Sequence, residues 1–128
     1  MKIGILIAAL AAALSPAVAT AQDGGTMPRS APALASSLIV KDSSGTLTGF
    51  NVTSSSAAGF VMVFDSATVP ADGAVSPLRC IPLGIATGIE YSYQSPLRLY
   101  RGITIVFSST GCFTKTTSAT AFIAGDAR

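Results

Sequence analysis

Two five-residue apolar segments constrain the fold of this chain more than any other feature. They are FVMVF at residues 60–64 and ITIVF at residues 103–107, and nearly every position in both is apolar. Segments this short are typical of central β-strands that are covered on both faces. No longer window shows the i, i+3, i+4 apolar spacing of an amphipathic helix. The sequence therefore predicts an all-β domain with these two strands at its centre.

Other short apolar or alternating segments follow one another from residue 37 onward, and turn residues separate them. In one, Ile89, Tyr91 and Tyr93 alternate with polar residues, which indicates one buried face; in another, Phe50 is predicted to face away from Leu47. We expect a compact antiparallel β-sandwich of about seven to eight short strands. The predicted strands are 37–41, 46–52, 60–65, 77–83, 88–93, 97–100, 102–108 and 119–124.

The N-terminus has the layout of a secretory signal peptide. Lys2 precedes an apolar run over residues 3–14, a helix breaker follows at Pro16, and the small residues Ala19 and Ala21 offer a cleavage site. A bilayer-spanning helix needs about 20 apolar residues, so this run is short for a membrane anchor. We expect a cleavable signal helix at residues 1–21 and an exported, periplasmic or extracellular protein. An uncleaved anchor is the alternative.

The next segment, residues 22–36, is rich in Gly, Pro, Ser and Ala without periodicity, which predicts a flexible leader before a domain at residues 37–128. Loss of Lys2 lowers the formal net charge from +2 to +1, and no basic run remains. We therefore expect no nucleic-acid partner and no stable membrane insertion after signal cleavage. A protein or a surface glycan is the expected partner. Assembly of the chain into a homo-oligomer is also compatible with the sequence.

Cys80 and Cys112 are the two cysteines of the chain. An even count in an exported protein favours a disulfide between them. The alternative is two buried thiols that never meet, because spacing alone does not establish the close Cα approach that a disulfide requires.

In the segment FDSATVPADG at residues 64–73, Asp65 ends an apolar run and a second carboxylate, Asp72, lies inside a turn rich in Pro and Gly. Pro70 fixes φ for the turn, Asp72 can bond its own backbone, and Gly73 can adopt a positive φ. Each residue thus has a structural role. A calcium loop at Asp65 and Asp72, or a small hydrolase that uses these acids with Glu90, is the less favoured alternative.

The chain contains no histidine, so serine and cysteine nucleophiles lack their usual base and zinc lacks its commonest ligand. The sequence therefore predicts no catalytic residue, no metal site and no cofactor. The best candidate for a contact surface is YSYQSPLRLYRG at residues 91–102, where tyrosine and arginine are concentrated. We expect Arg98, Tyr100 and Arg101 to form it. The alternative is that the tyrosines fill the core and the arginines are ordinary solvated charges.

The segment FVMVFDSATVPADGAVSP, followed by RGITIVFSST and FTKTTSATAFIAGD, resembles a group of small β-sandwich proteins that phages and prophages of proteobacteria encode. The resemblance covers residues 35–126 in outline. It implies a structural or decoration role in a virion and no catalytic residue. Because the chain also begins with an export signal, we expect an exported non-enzymatic structural or binding module, with the virion component as the alternative.

Overall fold

The computed structural model describes residues 26–128, so the predicted signal peptide at residues 1–21 lies outside the described part of the chain. Within residues 26–128 the chain forms β-strands and no helix, and hence no helix that could span a membrane. The predicted all-β fold class is confirmed. The strands are β1 (Met27–Ser30), β2 (Ser37–Lys41), β3 (Gly45–Ser54), β4 (Gly59–Phe64), β5 (Gly73–Ala74), β6 (Arg79–Leu83), β7 (Gly88–Leu99), β8 (Ile103–Ser108), β9 (Thr114–Lys115) and β10 (Ala121–Ala127).

Two four-stranded antiparallel sheets pack against each other as a sandwich, which confirms the predicted architecture. Sheet A has the strand order β1-β10-β3-β7, and sheet B has the order β2-β8-β4-β6. The main core lies between the sheets, where Leu47, Val52, Ile105, Phe107 and Ile123 are fully buried. Burial of each such side chain contributes about 1.5–3 kcal/mol before conformational entropy is counted.

The central strands β4 and β8 of sheet B are covered on both faces, as their sequence predicts. Val63 and Ile105 point into the main core. Met62, Phe64 and Val106 point the other way and form a second buried cluster. A short ribbon of β5 and β9 makes a third, two-stranded sheet, and Val75, directly after β5, packs on this second cluster. The two-residue strands β5 and β9 were not predicted.

The prediction that Phe50 faces away from Leu47 is wrong. The pairing of β3 with β7 shifts register between Leu47 and Gly49, and this irregularity reverses the side-chain alternation. Leu47 and Phe50 therefore both point into the main core, where Phe50 is 2 % exposed. A one-residue irregularity of this kind has no signal in an apolar–polar pattern.

The predicted strands at 88–93 and 97–100 are one strand, β7, and the predicted turn at residues 93–96 is an insertion within it. Leu97 pairs with Leu47 and Ser92 pairs with Gly49, so four residues of β7 lie opposite Thr48 alone. The turn-forming residues at 93–96 thus distort β7 locally, but they do not reverse the direction of the chain.

The predicted flexible leader at residues 22–36 contains β1, which pairs with β10 along its whole length from Met27 to Ser30. Further along, Ala31 is buried and its backbone N–H donates to the carbonyl of Ile123. The sheet therefore begins before the predicted domain boundary at residue 37. Backbone pairing orders this segment in spite of its loop-like composition, because a strand at a sheet edge can tolerate Pro and polar residues.

Candidate functional site

The Asp65 carboxylate holds the turn between β7 and β8. Asp65 directly follows β4, and its Oδ1 accepts the backbone N–H groups of Tyr100 at 3.1 Å, Arg101 at 2.8 Å and Gly102 at 3.4 Å. The N–H of Arg101 is the largest cause that lowers the pKa of Asp65, and burial opposes it. Hydrogen bonds to an ionised acceptor are stronger than neutral ones, so the turn has a fixed anchor.

Packing beneath the turn restricts it further. Gly102 is buried, and a Cβ at this position would lie 2.7 Å from the Cα of Ala67. Thr104 Oγ1 donates a hydrogen bond of 2.7 Å to the carbonyl of Ser66. The loop after β4 and the turn after β7 are therefore one packed unit.

The predicted contact residues lie on this unit. Tyr100 is 73 % exposed, and the Arg98 guanidinium lies 5.8 Å from the centroid of its ring. Arg101 is exposed at the adjacent position. Arg98, Tyr100 and Arg101 are called the Tyr100 turn below. The structure thus places an exposed aromatic ring and two guanidinium groups on a rigid backbone.

The other two tyrosines belong to a separate aromatic cluster around Phe50. The Tyr91 ring stacks on the Phe50 ring at 5.7 Å between centroids, and Tyr93 lies tilted at 6.3 Å from Phe50. Burial raises the pKa of Tyr93, which packs against the main core, whereas Tyr91 is 47 % exposed. Tyr91 and Tyr93 are therefore partly core residues, as in the alternative prediction that the tyrosines of residues 91–102 fill the core.

Asp72 pairs with a buried lysine. Lys115 is 4 % exposed, and its Nζ donates to Asp72 Oδ1 at 2.6 Å. The Thr117 hydroxyl and backbone N–H donate to the same carboxylate. Lys115, followed by Thr117, lowers the pKa of Asp72 to about 2. Gly73 has the predicted positive φ, at 125°, but the Asp72 side chain binds the β9 segment where the sequence predicted a bond to its own turn.

Cys80 and Cys112 form the predicted disulfide, with a Cα–Cα distance of 5.7 Å. Cys80 lies in β6, and Cys112 lies in the loop before β9. The disulfide thus ties the β5–β9 ribbon region, which covers the second buried cluster, to β6, and the Asp72–Lys115 pair joins the two strands of the ribbon to each other.

The acidic residues that a calcium loop or a small hydrolase would use contact different elements of the fold. Asp65 holds the β7–β8 turn, Asp72 holds β9, and Glu90 lies on β7 in sheet A. In the part of the chain that the structure describes, no three His, Cys, Asp or Glu side chains come together as a metal site would need. The arrangement gives no geometric support to the calcium loop or to the paired-carboxylate hydrolase.

A shallow groove lies on sheet A, and sequence reasoning missed it. Its volume is about 540 Å³. Gly49 lies in β3, where a Cβ would lie 2.7 Å from the carbonyl oxygen of Tyr91, so the glycine permits the close approach of the β7 backbone. The residues that line the groove include Pro28, Thr48, Gly49, Asn51, Glu90, Ser92 and Asp126.

The chain matches no protein-family model, no curated protein and no solved structure. The resemblance to phage-encoded sandwiches therefore stays a hypothesis.

Proposed function

We propose that this chain is an exported, non-enzymatic β-sandwich module that contacts an acidic partner through the Tyr100 turn. The observation that carries the proposal is the exposure of Tyr100 on a backbone that the Asp65 carboxylate fixes. Tyrosine and arginine are enriched among the residues that contribute most to binding energy at interfaces. A turn that is already ordered loses little conformational entropy when a partner binds.

The charge of the turn indicates the chemistry of the partner. Arg98 and Arg101 present two guanidinium groups, and each can form bidentate hydrogen bonds with a carboxylate, sulfate or phosphate group. The carboxylate of Asp65 is already engaged by the backbone N–H groups of the turn. An acidic protein surface or an acidic surface glycan fits this arrangement.

Proline and lysine at the sheet edges favour contact through side chains over the addition of a strand. The edge strands of sheet A contain Pro28 and Pro96, and those of sheet B contain Pro82 and Lys41. Proline cannot donate a ladder hydrogen bond, and edge charges discourage pairing with a second chain. A partner is therefore expected to engage an exposed turn or face.

The chemistry of the acidic residues supports a non-enzymatic role. Their hydrogen bonds lower the pKa of both Asp65 and Asp72, so neither carboxyl is held protonated near neutral pH as a general acid must be. The sequence also contains no histidine. Asp65 instead fixes the turn between β7 and β8, and Asp72 fixes the β9 segment.

The disulfide is consistent with export, because such bonds persist in oxidising compartments. The test is to express the full chain in a bacterium, separate the cytoplasmic, periplasmic, envelope and medium fractions, and determine the N-terminal residue. We expect the protein outside the cytoplasm with Gln22 as its first residue. A cytoplasmic protein that retains Met1 would contradict the proposal, and co-sedimentation with phage particles would favour the virion role.

A further inference from the structure

One end of the sandwich has no charged residue in the segments that connect its strands. Four such segments meet there, and none contains Lys, Arg, Asp or Glu: residues 31–36 (APALAS), 55–58 (SSAA), 84–87 (GIAT) and 118–120 (SAT). These four segments are called the uncharged end below. Exposed segments of soluble proteins are usually rich in charged side chains, whereas the centres of protein interfaces are depleted of them.

Main-chain hydrogen bonds fix the width of the uncharged end. The N–H of Ala35 donates to the carbonyl of Ala121 at 2.7 Å, and Ala121 pairs with Ser54. The N–H of Ser54 donates to the carbonyl of Thr87 at 2.9 Å. Because neighbouring strands lie about 4.8 Å apart, these three steps place Ala35 and Thr87 about 15 Å from each other across the end of sheet A.

Large apolar side chains project from both sides of this end. Leu34, directly before Ala35, is 54 % exposed, and Ile85, at the tip of the β6–β7 turn, is 62 % exposed. A groove of about 390 Å³, whose lining includes Phe60 and Pro82, adjoins the β6–β7 turn and continues the apolar surface towards sheet B. Apolar surface of this kind, without charges inside it, is typical of an interaction site.

The backbone that presents Ile85 is strained and rigid. Ala86 has a φ of 50°, in the left-handed region that residues other than glycine rarely adopt. The hydroxyl of the buried Ser54 accepts the N–H of Thr87 at 3.0 Å. The N–H of Ala86 donates to the carbonyl of Ser55 at 3.1 Å. Strain that the surrounding residues enforce is concentrated at functional positions, and a fixed turn loses little entropy on binding.

Charged residues lie at the opposite end of the sandwich. Lys41 ends β2 there, and Asp65 and Arg101 meet at the Tyr100 turn. Asp72 reaches the border of the uncharged end through its hydrogen bonds to the β9 segment, but Lys115 neutralises it. Two copies of the chain can therefore bring their uncharged ends together without repulsion between like charges.

We propose that the uncharged end joins two copies of this chain end to end about a two-fold axis. In a two-fold interface the same surface of both copies is used, so each contact occurs twice with its two residues exchanged. Leu34 and Ile85 lie on opposite sides of the end, and Leu34 of one copy therefore meets Ile85 of the second copy. A neutral apolar surface matches a surface of its own chemistry. The Tyr100 turns then point away from the interface at both ends of the dimer, so the inference does not depend on the proposed function.

Sedimentation equilibrium of the exported protein over a range of concentrations tests the proposal. We expect a reversible dimer that salt does not dissociate, because the interface contains no ion pair. Ile85→Lys is expected to weaken dimerisation about tenfold or more. Met27→Lys adds the same charge at a residue that is 74 % exposed in β1, outside the uncharged end, and should dimerise as the wild type does. Melting temperatures measured on dilute monomers should be equal, because neither side chain is buried.

A paired substitution tests the two-fold arrangement. Leu34→Asp alone should weaken dimerisation, because it buries an unpaired charge in the interface. When Leu34→Asp is combined with Ile85→Lys, each introduced carboxylate lies opposite an introduced ammonium group of the second copy. The double variant should therefore dimerise more tightly than either single variant, and its dimer should weaken as salt is added.

A protein that stays monomeric at every concentration would overturn the proposal, and so would wild-type dimerisation of Ile85→Lys or a double variant no tighter than the single ones. Vesicles of phosphatidylcholine test for a different occupant. Binding of a monomer to these vesicles that Ile85→Lys abolishes would assign the uncharged end to a membrane surface, and the dimer would be wrong. Tyr100→Ala should leave dimerisation unchanged, which separates this surface from the Tyr100 turn.

Discussion

The carboxylate of Asp65 accepts the backbone N–H of Arg101 at 2.8 Å across a sequence separation of 36 residues. This bond joins the end of β4 in sheet B to the turn that leaves β7 in sheet A. A single side chain thus connects the two sheets at one end of the sandwich. It also fixes the backbone that presents Tyr100.

Asp65→Ala is expected to destabilise the fold by about 2 kcal/mol, because three hydrogen bonds of about 0.5–1.5 kcal/mol each are lost. Asp65→Asn is the matched control. It keeps an acceptor oxygen and should lose less stability than Asp65→Ala. Urea unfolding measures both, and equal stability of Asp65→Ala and the wild type would contradict the role of Asp65 as an anchor.

Acid should weaken the pairing of β5 with β9. The folded-state pKa of Asp72 is about 2, below its ordinary value of 3.8, so its contribution is complete above the unfolded-state pKa. As the pH falls from about 4 to about 2, the contribution is progressively lost. The stability difference between wild type and Asp72→Asn, measured by urea unfolding across this range, should shrink towards zero. A constant difference would contradict the pairing.

The buried partner of Asp72 predicts an asymmetry between two substitutions. Asp72→Asn leaves the Lys115 ammonium buried without its counter-charge, which is unfavourable. Lys115→Met removes that charge and leaves Asp72, which is half exposed and can be solvated. Thermal unfolding should therefore show a larger loss for Asp72→Asn, and Lys115→Met should restore stability when combined with it. A combined variant less stable than Asp72→Asn alone would refute this account.

The sequence predicted those parts of the fold that depend on local composition. The burial of β4 and β8 on both faces, the positive φ of Gly73 and the cysteine pairing are confirmed. Two predictions that depend on how the strands pair did not hold. The register shift beside Gly49 reversed the orientation of Phe50, and the hydrogen bonds of β10 ordered a segment that was predicted as a flexible leader.

The candidate site shows the same limit. Composition identified Tyr100, Arg98 and Arg101 as a cluster, but the Asp65 carboxylate that fixes their turn lies more than thirty residues away in sequence. The groove was missed for a similar reason, because Asp126, Gly49 and Glu90 become neighbours only through the pairing of β10, β3 and β7. An apolar–polar pattern contains no information about which strands lie side by side.

Reduction of the disulfide should destabilise the protein. The bond between Cys80 and Cys112 spans 32 residues, and the loop-closure entropy removed from the unfolded chain corresponds to about 3–4 kcal/mol. Cys80→Ala combined with Cys112→Ala should therefore lower the free energy of unfolding by this amount. Hydrogen exchange should show the greatest loss of protection around Met62, which the ribbon region covers. Unchanged stability of the double variant would contradict this prediction.

The two buried clusters should respond differently to truncation. Ile105 is fully buried in the main core, and Ile105→Ala is expected to cost about 2–5 kcal/mol, enough to unfold a small domain. Phe64 is 7 % exposed in the second cluster, on the other face of sheet B. Phe64→Ala should lower the free energy of unfolding but disturb the main core less. Hydrogen exchange of the backbone amides in β3 and β10, which line the main core, would measure this difference. Equal loss of protection in both clusters would contradict the separation.

The most direct test of the central claim compares two double variants for binding to isolated envelopes of the producing cells. One is Tyr100→Ala with Arg101→Ala; the control is Phe113→Ala with Arg29→Ala, in which an equally exposed aromatic residue and an exposed arginine are removed elsewhere. Neither substitution in the turn removes a backbone N–H that Asp65 accepts. In a sedimentation assay, the first variant should bind about tenfold more weakly or worse, and the control should match the wild type. Equal retention of both variants would contradict the assignment of the Tyr100 turn as the contact surface.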